Sequence, residues 1–487
     1  MKRDDLGLYR AWGLYIDGAW RAAADGGVRE VLDPTSEEVI GWIPVATSED
    51  LEAAVAGAQR AFRAWRQTSP WERAAVLHRT AALVRERAAD IARMMSTETG
   101  KPLAQARGEI GDAADQFDWY AGETQRVYGH TFQARVPEVR MHVRMEPVGV
   151  VAAFSAWNFP ALLPSRKIAA ALGAGCSIVV KPASEAAGSC MALVQALHDA
   201  GLPAGTVSLV TGDAAFIAEH LVRDARVAKI SLTGSTAVGR QMLRLAAEGI
   251  KRVSMELGGH APVLVFEDAD VEHAAEQCAR FKYRNCGQVC ASPSRFYVHR
   301  SLYERFTARF VEVASSLKVG PGLQEGVDVG PMANRRGLVH AHALIEDAVA
   351  HGARLAAGGA RPAGLPGDKG YYLAPTVLAD VPEAARIMRD EPFAPVAPLA
   401  PFDTFDEAIE RANATRYGLA SYLFTRSLKT ATLASEAIEA GMVGVNELAI
   451  AAAEMPFGGV KESGMGREGG ALGLRDYLEP KYIRTRL

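Results

Sequence analysis

Apolar and polar residues recur with different periods along this chain, and each period predicts a kind of element. Residues 49–95 combine many alanines, arginines and glutamates with few helix breakers, which predicts amphipathic helices, and residues 103–127 continue this pattern. Residues 139–147 alternate between apolar and polar side chains, which predicts a half-buried strand or hairpin. The first part of the chain is therefore expected to contain helices followed by a strand.

At Val148 the pattern changes, because short and wholly apolar runs begin to alternate with helical segments. The buried strands predicted in this way are residues 148–154, 177–180 and 207–210. The helices predicted between them are residues 160–172 and about 186–200. Gly173 and Gly175 are expected to end the first of these helices, since glycine often follows the last helical residue.

The same alternation returns from residue 262 to about residue 445, beyond a break at residues 256–259. Strands that alternate with helices predict parallel, doubly wound sheets, whose ligands bind at the carboxyl ends of the strands. We therefore expect an α/β fold with two such domains that meet at a cleft. Residues 477–483 predict a further strand that has no local partner.

Composition narrows the class of protein. A chain of 487 residues with 49% hydrophobic and 23% charged residues is expected to form two or three globular domains. The net charge of −3 gives no reason to expect nucleic acid or an anionic membrane as a partner. No apolar run reaches about 18 uncharged residues, so no membrane span is expected. Residues 1–5 carry acids where a signal peptide needs an apolar core, and five cysteines without a framework spacing fit a reduced cytoplasm.

Cys290 is the candidate nucleophile. An arbitrary cysteine is usually a small buried hydrophobic residue, but Gly287 before Cys290 and Pro293 after it indicate a turn instead of a core stripe. A thiolate is nucleophilic near neutral pH and forms a thioester, which hydrolyses readily. Cys286 is the alternative thiol.

Two polar residues in apolar surroundings complete the candidate chemistry. Met255 and Leu257 flank Glu256, and such a neighbourhood raises the pKa of a carboxyl group toward that of a useful base. Asn158 follows an apolar strand, where it can serve as a helix N-cap or donate its amide to an oxyanion. No metal site is expected, because His340 and His342 lack the accompanying ligands and do not share a helix face.

Several segments occur in an order that resembles one family, the aldehyde dehydrogenases, which oxidise aldehydes to acids with a nicotinamide cofactor. The segments are Trp157-Asn158-Phe159-Pro160, Lys181-Pro182, residues 233–239, residues 255–259, residues 285–290 and residues 456–464. The resemblance implies that Cys290 attacks the aldehyde, that Asn158 and the backbone N–H of Cys290 form the oxyanion hole, and that Glu256 activates the hydrolytic water. Relatives that transfer the acyl group to coenzyme A lack this glutamate, so its presence favours a free acid as product.

The resemblance also implies further site residues. The catalytic set is Cys290, Glu256, Asn158, Lys181 and Glu468. The set for NAD or NADP is Ser155, Ala156, Trp157, Lys181, Ser184, Gly212, Thr233, Gly234, Ser235, Val238, Glu256, Leu257, Gly258, Glu391 and Phe393. Within it, Lys181 and Glu391 are expected to hold the two riboses, while residues 234–239 do not form the Gly-x-Gly-x-x-Gly fingerprint.

Two positions in the cofactor set depart from the pattern of the family or of its NAD-restricted members. Ala394 stands where the family has glycine after Phe393, which puts the geometry of Glu391 in question. Ser184 stands where relatives restricted to NAD often have glutamate, so NADP is expected to be a competent cofactor. The alternative is that Glu185 swings into the ribose site and restores a preference for NAD.

Substrate choice rests on Arg166, Arg284 and Phe457. The two arginines match positions that succinate-semialdehyde dehydrogenases use to hold a distal carboxylate, and a guanidinium can bind a carboxylate through two hydrogen bonds. Residues 449–453 are apolar where such relatives place a serine. An ω-semialdehyde such as succinate semialdehyde is expected. The alternatives are that the arginines serve packing, that the enzyme accepts aliphatic or aromatic aldehydes broadly, or that the chain is an inactive binding relative.

The resemblance finally implies a domain organisation. Residues 1–127 and 148–257 form the cofactor domain, residues 258–445 the catalytic domain, and residues 446–468 a return segment that lines the active site. Residues 128–147 and 469–487 form an arm that joins subunits. A homodimer or homotetramer in the cytoplasm is expected, with a small aldehyde as the only other partner.

Overall fold

The computed structural model describes residue 9, residues 12–365 and residues 367–487. Residues 1–5, whose acids argue against a signal peptide, lie outside this part. The helices are α1 (Ser48–Trp65), α2 (Pro70–Glu86), α3 (Ala88–Thr99), α4 (Leu103–Thr124), α5 (Leu162–Ala174), α6 (Gly188–Asp199), α7 (Ala214–Arg223), α8 (Thr236–Glu248), α9 (Val271–Tyr283), α10 (Arg300–Ser316), α11 (Arg335–Ala350), α12 (Phe405–Asn413), α13 (Leu428–Ala437) and α14 (Gly470–Arg475).

The strands form four sheets. They are β1 (Leu14–Ile16), β2 (Ala19–Arg21), β3 (Val28–Leu32), β4 (Val39–Pro44), β5 (His130–Gln133), β6 (Val139–Pro147), β7 (Val150–Phe154), β8 (Ser177–Lys181), β9 (Val207–Leu209), β10 (Val227–Thr233), β11 (Arg252–Glu256), β12 (Ala261–Val265), β13 (Pro293–His299), β14 (Arg354–Ala357), β15 (Thr376–Ala379), β16 (Val396–Phe402), β17 (Ala420–Phe424), β18 (Met442–Val445), β19 (Gly464–Met465) and β20 (Leu478–Arg486).

The first sheet has the order β19-β11-β10-β7-β8-β9-β1-β2. The five strands β11, β10, β7, β8 and β9 are parallel. The sheet is covered on both faces, as β7 illustrates, because its alternate residues belong to different hydrophobic cores. Val151 and Ala153 pack with helices α2–α6 on one face, while Val150 and Ala152 pack with α1, α7 and α8 on the other. The antiparallel strands β1, β2 and β19 at the two ends of the sheet were not anticipated from the sequence, since they are too short to show a clear period.

The second sheet has the order β14-β15-β16-β13-β12-β17-β18 and is parallel except for β14. Its strands β12, β13, β15, β16 and β17 are almost wholly buried and pack with helices in one large core, whereas β14 and β18 are partly exposed. The predicted α/β fold with two doubly wound sheets is therefore confirmed. The segments at the carboxyl ends of β7, β10 and β11 line one cavity and carry most of the candidate site residues.

The prediction that Gly173 ends a helix is wrong, because α5 continues to Ala174 and Gly175 is its left-handed C-cap with φ 95°. Gly173 has another role. A Cβ atom there would lie 2.4 Å from Thr124 Oγ1 of α4. The absence of a side chain therefore allows α5 to pack closely against α4.

The strand predicted near the end of the chain finds its partner far away in sequence. β20 pairs antiparallel with β6 over nine residue pairs, from Leu478 opposite Pro147 to Arg486 opposite Val139. β5 completes this third sheet on the other side of β6. We call β5, β6 and β20 the arm. Within the described part of the chain, no helix is both long and apolar enough to cross a membrane.

Candidate active site

Cys290 lies where two cavities meet. The Trp157 cleft, of about 470 Å³, is lined by Ala156, Trp157, Asn158, Thr233, Gly234, Ser235, Glu256, Leu257, Gly258, Cys290, Asn334, Arg336, Gly337, His340, Glu391 and Phe393. The Arg166 cavity, of about 630 Å³, contains Arg166, Arg284 and Phe457 beside Cys290. The structure thus brings together most of the residues predicted from scattered segments. Asn334, Arg336, Gly337 and His340 of the Trp157 cleft were not predicted as site residues.

A left-handed turn presents Cys290. Asn285, Cys286 and Gly287 have φ values of 50°, 55° and 71°, a conformation that is unfavourable for the first two residues. The side-chain Nδ2 of Asn285 stabilises the turn, because it donates to the carbonyl of Gln288 at 3.2 Å and to that of Asn158 at 3.0 Å. A Cβ at Gly287 would lie 2.1 Å from the carbonyl oxygen of Ala394, so only glycine fits there.

The alanine at position 394 is accommodated without strain. Ala394 is fully buried and does not adopt a positive φ, whereas its neighbour Phe393 does, with φ 43°. Glu391 remains at the Trp157 cleft, where its Oε1 accepts a hydrogen bond of 3.0 Å from the backbone N–H of Gly259. The ring of Phe393 meets that of Trp157 edge-on, with centroids 5.6 Å apart. The departure from the family pattern therefore leaves Glu391 and Phe393 facing the cleft.

Glu256 and Cys290 influence each other's protonation. Glu256 is 2% exposed at the end of β11, and among the described residues its carboxylate has no hydrogen-bond partner other than the Cys290 thiol. Burial, followed by the charge of Glu468, raises the pKa of Glu256 to about 8. Burial, followed by the charge of Glu256, raises the pKa of the Cys290 thiol well above its usual value. A weakly acidic carboxyl beside a thiol can accept a proton from it or from water.

Asn158 is 4% exposed, and hydrogen bonds hold both its side chain and its backbone carbonyl. Its side-chain Nδ2 donates to the carbonyl of Gln288 at 3.1 Å, which uses one of the two amide hydrogens. The other hydrogen is available to a ligand in the cleft. Its backbone carbonyl accepts hydrogen bonds from Asn285 and, at 2.8 Å, from Lys101 Nζ. The carboxamide expected in the oxyanion hole is thus held in the same cleft as Cys290.

The remaining cofactor residues lie together beyond the Trp157 cleft. Lys181 ends β8, and its carbonyl accepts from the Ser155 N–H at 3.2 Å. Ser184 Oγ donates to the carbonyl of Gly212 at 3.2 Å. Burial lowers the pKa of Lys181, and the charge of Glu185 acts in the opposite direction.

Several features of this region fit a dinucleotide. The hydroxyls of Ser155 and Thr233 are buried and make no hydrogen bond with the described residues. Ser235 is the N-cap of α8, whose first turn leaves backbone N–H groups for a phosphate. Val238 lines a groove of about 460 Å³ between α7 and α8. The start of α8 thus borders both cavities, since Ser235 lines the Trp157 cleft and Val238 lines the groove.

The lysine that acts on Glu256 is Lys167, which was not predicted, whereas Lys181 lines neither cavity at Cys290. Lys167 Nζ forms a buried ion pair with Glu468 and lies 3.2 Å from Ser231 Oγ. Its charge lowers the pKa of Glu256, while that of Glu468 raises it. A signal was present in the sequence, because Arg166 and Lys167 are adjacent cations in an otherwise apolar helix.

Cations and aromatic rings define the Arg166 cavity. Arg166 is 3% exposed, its Nε is unsatisfied among the described residues, and its guanidinium lies over the Phe457 ring at 4.3 Å. Arg284 lies over the rings of Phe159 and Phe281 at 5.7 and 5.8 Å. Neither arginine forms an ion pair with a residue that the structure describes. The apolar stretch that was noted in the sequence forms part of the wall, as Ala449, Ile450, Ala451, Ala452 and Ala453.

No metal site accompanies these groups. Within the described ranges, no cluster of three or more histidine, cysteine or acidic side chains could hold a metal ion. His340 contacts the carbonyl oxygen of Glu391 at 3.3 Å, so this histidine belongs to the wall of the Trp157 cleft.

Comparisons with known proteins agree with this geometry. The aldehyde dehydrogenase family matches residues 20–483. The chain is 42% identical over 483 residues to the glutarate-semialdehyde dehydrogenase of Pseudomonas putida, with 99% of each chain covered. It is 41% identical over 484 residues to the succinate-semialdehyde dehydrogenase (NADP(+)) GabD of Escherichia coli K12, again with 99% of each covered.

A solved structure is equally similar. The crystal structure of a succinate-semialdehyde dehydrogenase from Burkholderia pseudomallei superposes with a TM-score of 0.95 and 41% identity, covering 98% of each chain. The resemblance inferred from short segments thus extends over the whole domain architecture. Because sequence and fold match from end to end, the chain belongs to the aldehyde dehydrogenase family and is an oxidoreductase that acts on aldehydes.

Proposed function

We propose that this enzyme oxidises an ω-semialdehyde, an aldehyde with a distal carboxylate, to the free dicarboxylic acid. The observation that carries the proposal is that the buried Arg166 and the half-buried Arg284 line the cavity that ends at Cys290 and form no ion pair with a residue that the structure describes. A buried, unpaired cation is costly, and an anionic ligand removes that cost. Two relatives named for succinate and glutarate semialdehyde support the same class. Succinate semialdehyde is the leading substrate, and the apolar wall leaves room for longer chains.

The arrangement of side chains supports a two-stage reaction. Cys290 loses its proton to solvent and its sulfur bonds to the aldehyde carbon. The carboxamide of Asn158 together with the Cys290 backbone N–H binds the resulting oxyanion. A nicotinamide cofactor held in the Trp157 cleft by residues such as Glu391 and Phe393 would supply the acceptor for the hydride of that carbon. Loss of the hydride turns the adduct on Cys290 into a thioester. Glu256 then removes a proton from water, which attacks the thioester carbon. The acid is released, and the sulfur of Cys290 is free again.

We further propose that NADP⁺ is a competent cofactor. Ser184 is small and uncharged, and it lies beside Gly212 at the end of the path that the dinucleotide would follow. A 2′-phosphate would meet no carboxylate from this position, and Lys181 supplies a positive charge nearby. Glu185 is the residue that could oppose this choice, because its charge already acts on Lys181.

The arm is proposed to join subunits into a homodimer or homotetramer. β20 is an edge strand with free backbone hydrogen-bonding groups, which is the type of edge to which another chain can add. Phe132 and Tyr482 are apolar side chains of the arm that are 50% and 55% exposed. Burial of such groups between two copies would stabilise an oligomer.

The test of the substrate class is a comparison of charged and uncharged aldehydes. Arg166→Ala and Arg284→Ala should each raise KM for succinate semialdehyde by roughly 10- to 150-fold, equivalent to about 1.5–3 kcal/mol for a lost charge-assisted contact. KM for an uncharged aldehyde of equal length should change little. Initial rates of NADH and NADPH formation give both constants.

Matched variants separate this result from general damage. Arg85 lines the same cavity but pairs with Asp115 and Asp118. Arg85→Ala should therefore leave the ratio of the KM values for the charged and the uncharged aldehyde as it is in the wild type. Cys290→Ala should abolish oxidation, whereas Cys286→Ala should retain it. Equal losses of Arg166→Ala on charged and uncharged aldehydes would contradict the proposal and favour a broad aliphatic or aromatic specificity, which the apolar wall would also suit.

A further inference from the structure

A buried ion pair that lines neither cavity contacts the backbone of Asn158, the residue expected in the oxyanion hole. Lys101 and Glu109 are 1% and 0% exposed in their side chains, and their charged groups are in direct contact. Lys101 Nζ also donates to the backbone carbonyl of Asn158 at 2.8 Å. Neither residue lines the Trp157 cleft or the Arg166 cavity.

The pair is part of a larger set of contacts from α4 and the residues just before it. Glu109 Oε1 accepts from the backbone N–H groups of Ala161 and Leu162 at 2.9 and 3.1 Å, where α5 begins. Gln105, one helical turn before Glu109, accepts from the backbone N–H of Asn285 at 2.8 Å. One face of α4 therefore holds both the loop of Asn158 and the turn that presents Cys290.

The carbonyl of Asn158 is the point at which these contacts meet. It receives Lys101 from the helical layer and Asn285 from the turn before the nucleophile. A backbone carbonyl held by two donors fixes the position of its own residue, and with it the origin of the carboxamide side chain. Oxyanion stabilisation depends strongly on this position, because displacement of a reacting group by about 1 Å can cost a hundredfold in rate.

We infer that Lys101 and Glu109 are positioning residues for aldehyde oxidation, which hold the Asn158 carboxamide in the oxyanion hole. The inference rests on the proposed function, since it assumes that Asn158 stabilises the oxyanion. Lys101 acts through the carbonyl of Asn158. Glu109 acts by holding Lys101 in place and by fixing the start of α5.

The experiment uses the double variant Lys101→Met/Glu109→Gln, which we call the neutral pair. It leaves no buried charge unpaired, and the glutamine keeps an oxygen for the N–H groups of Ala161 and Leu162. The hydrogen bond from Lys101 to Asn158 is lost. The measured quantities are the single-turnover rate of NADPH or NADH formation, KM for the aldehyde and the thermal midpoint of unfolding.

The neutral pair should lower the single-turnover rate roughly tenfold, with KM changed by less than about twofold. Asn158→Ala should lower that rate by about 10²–10³. Adding the neutral pair to Asn158→Ala should cause no further loss, because both changes remove the same interaction. A merely structural pair would give losses that multiply.

A control lies elsewhere in the molecule. Asp50 is buried and pairs with Arg21 at 2.8 Å, so Asp50→Asn removes a buried carboxylate far from Asn158 in the fold. It should lower the thermal midpoint and leave the single-turnover rate unchanged. If the neutral pair does not fold, Lys101→Leu/Glu109→Gln, which also leaves no buried charge unpaired and removes the hydrogen bond to Asn158, replaces it in every comparison.

The measurements distinguish failure of the positioning role of Lys101 and Glu109 from failure of the oxyanion-hole assignment of Asn158. An unchanged rate in the neutral pair, or losses that multiply with those of Asn158→Ala, would overturn the inference while the proposed function stands. If Asn158→Ala itself retained the wild-type rate, the assignment of the oxyanion hole would fail, and the positioning role with it.

Discussion

At the scale of single residues, the active site depends on the burial of ionisable groups, which raises their pKa values. Cys290 and Glu256 both have raised pKa values, so the resting enzyme holds its protons near neutral pH. Each group therefore has to lose its proton before it acts, Cys290 as the nucleophile and Glu256 as the base. The ion pair of Lys167 with Glu468 tunes Glu256, because its two charges act on that carboxyl in opposite directions.

This electrostatic arrangement predicts the behaviour of Glu256→Gln. Hydride transfer precedes the step that needs the base, so the variant should give a burst of about one reduced cofactor per active site, followed by slow turnover. In the wild type, the base form of Glu256 is populated as pH rises through about 8. The steady-state rate should therefore fall about tenfold for each pH unit below that value.

Stopped-flow absorbance at several pH values measures both phases. The slow phase of Glu256→Gln should lose the rise with pH that the wild type shows. A burst that shrinks in proportion to the steady-state rate would mean that Glu256 also acts before hydride transfer.

Which residues the sequence could identify depended on whether their signal was local. Cys290, Glu256 and Asn158 are each recognisable from a few neighbours, and the structure brings all three to one cleft. Lys101 carries no such local signal, because the carbonyl that it contacts belongs to Asn158, 57 residues away. Lys167 stands out only as a cation in an apolar helix, and nothing near it in the sequence indicates its partner. The contact of Lys167 with Glu468 spans 301 residues.

At the scale of elements, the loop after β8 governs the choice of cofactor in our proposal. Ser184→Glu introduces a carboxylate where an adenosine ribose phosphate would lie, and should therefore lower kcat/KM for NADP⁺ much more than for NAD⁺. NADP⁺ counts as a competent cofactor if the kcat/KM of the wild type with NADP⁺ is within about a hundredfold of that with NAD⁺. This factor corresponds to about 2.7 kcal/mol of activation free energy. Initial rates with each cofactor give the ratio.

Glu185→Gln is the matched control for this loop. If Glu185 already occupies the ribose site, its replacement should improve the use of NADP⁺, and Ser184→Glu should have little effect. Rejection of NADP⁺ by the wild type beyond a hundredfold would show that Ser184 does not determine the choice.

Elements differed in how far the sequence could predict them. The wholly apolar strands β7 and β8 were found within about two residues, because a buried parallel strand has no polar positions. The end of α5 was misplaced, since Gly173 serves packing against α4 and not termination. β1 and β2 have three residues each, which is too few for a period to be read.

At the scale of the whole molecule, the arm is the part whose exposed surface needs an explanation. Its apolar side chains Phe132 and Tyr482 face outward, and β20 joins it from the far end of the chain.

If the arm joins subunits, Phe132→Asp/Tyr482→Asp should shift the protein from a dimer or tetramer to a monomer, because buried carboxylates in the interface would lack partners. Size-exclusion chromatography with light scattering gives the mass. Leu428→Asp is the control, since Leu428 is 83% exposed on α13 and lies outside the arm. An arm variant that keeps the wild-type mass would place the subunit interface elsewhere.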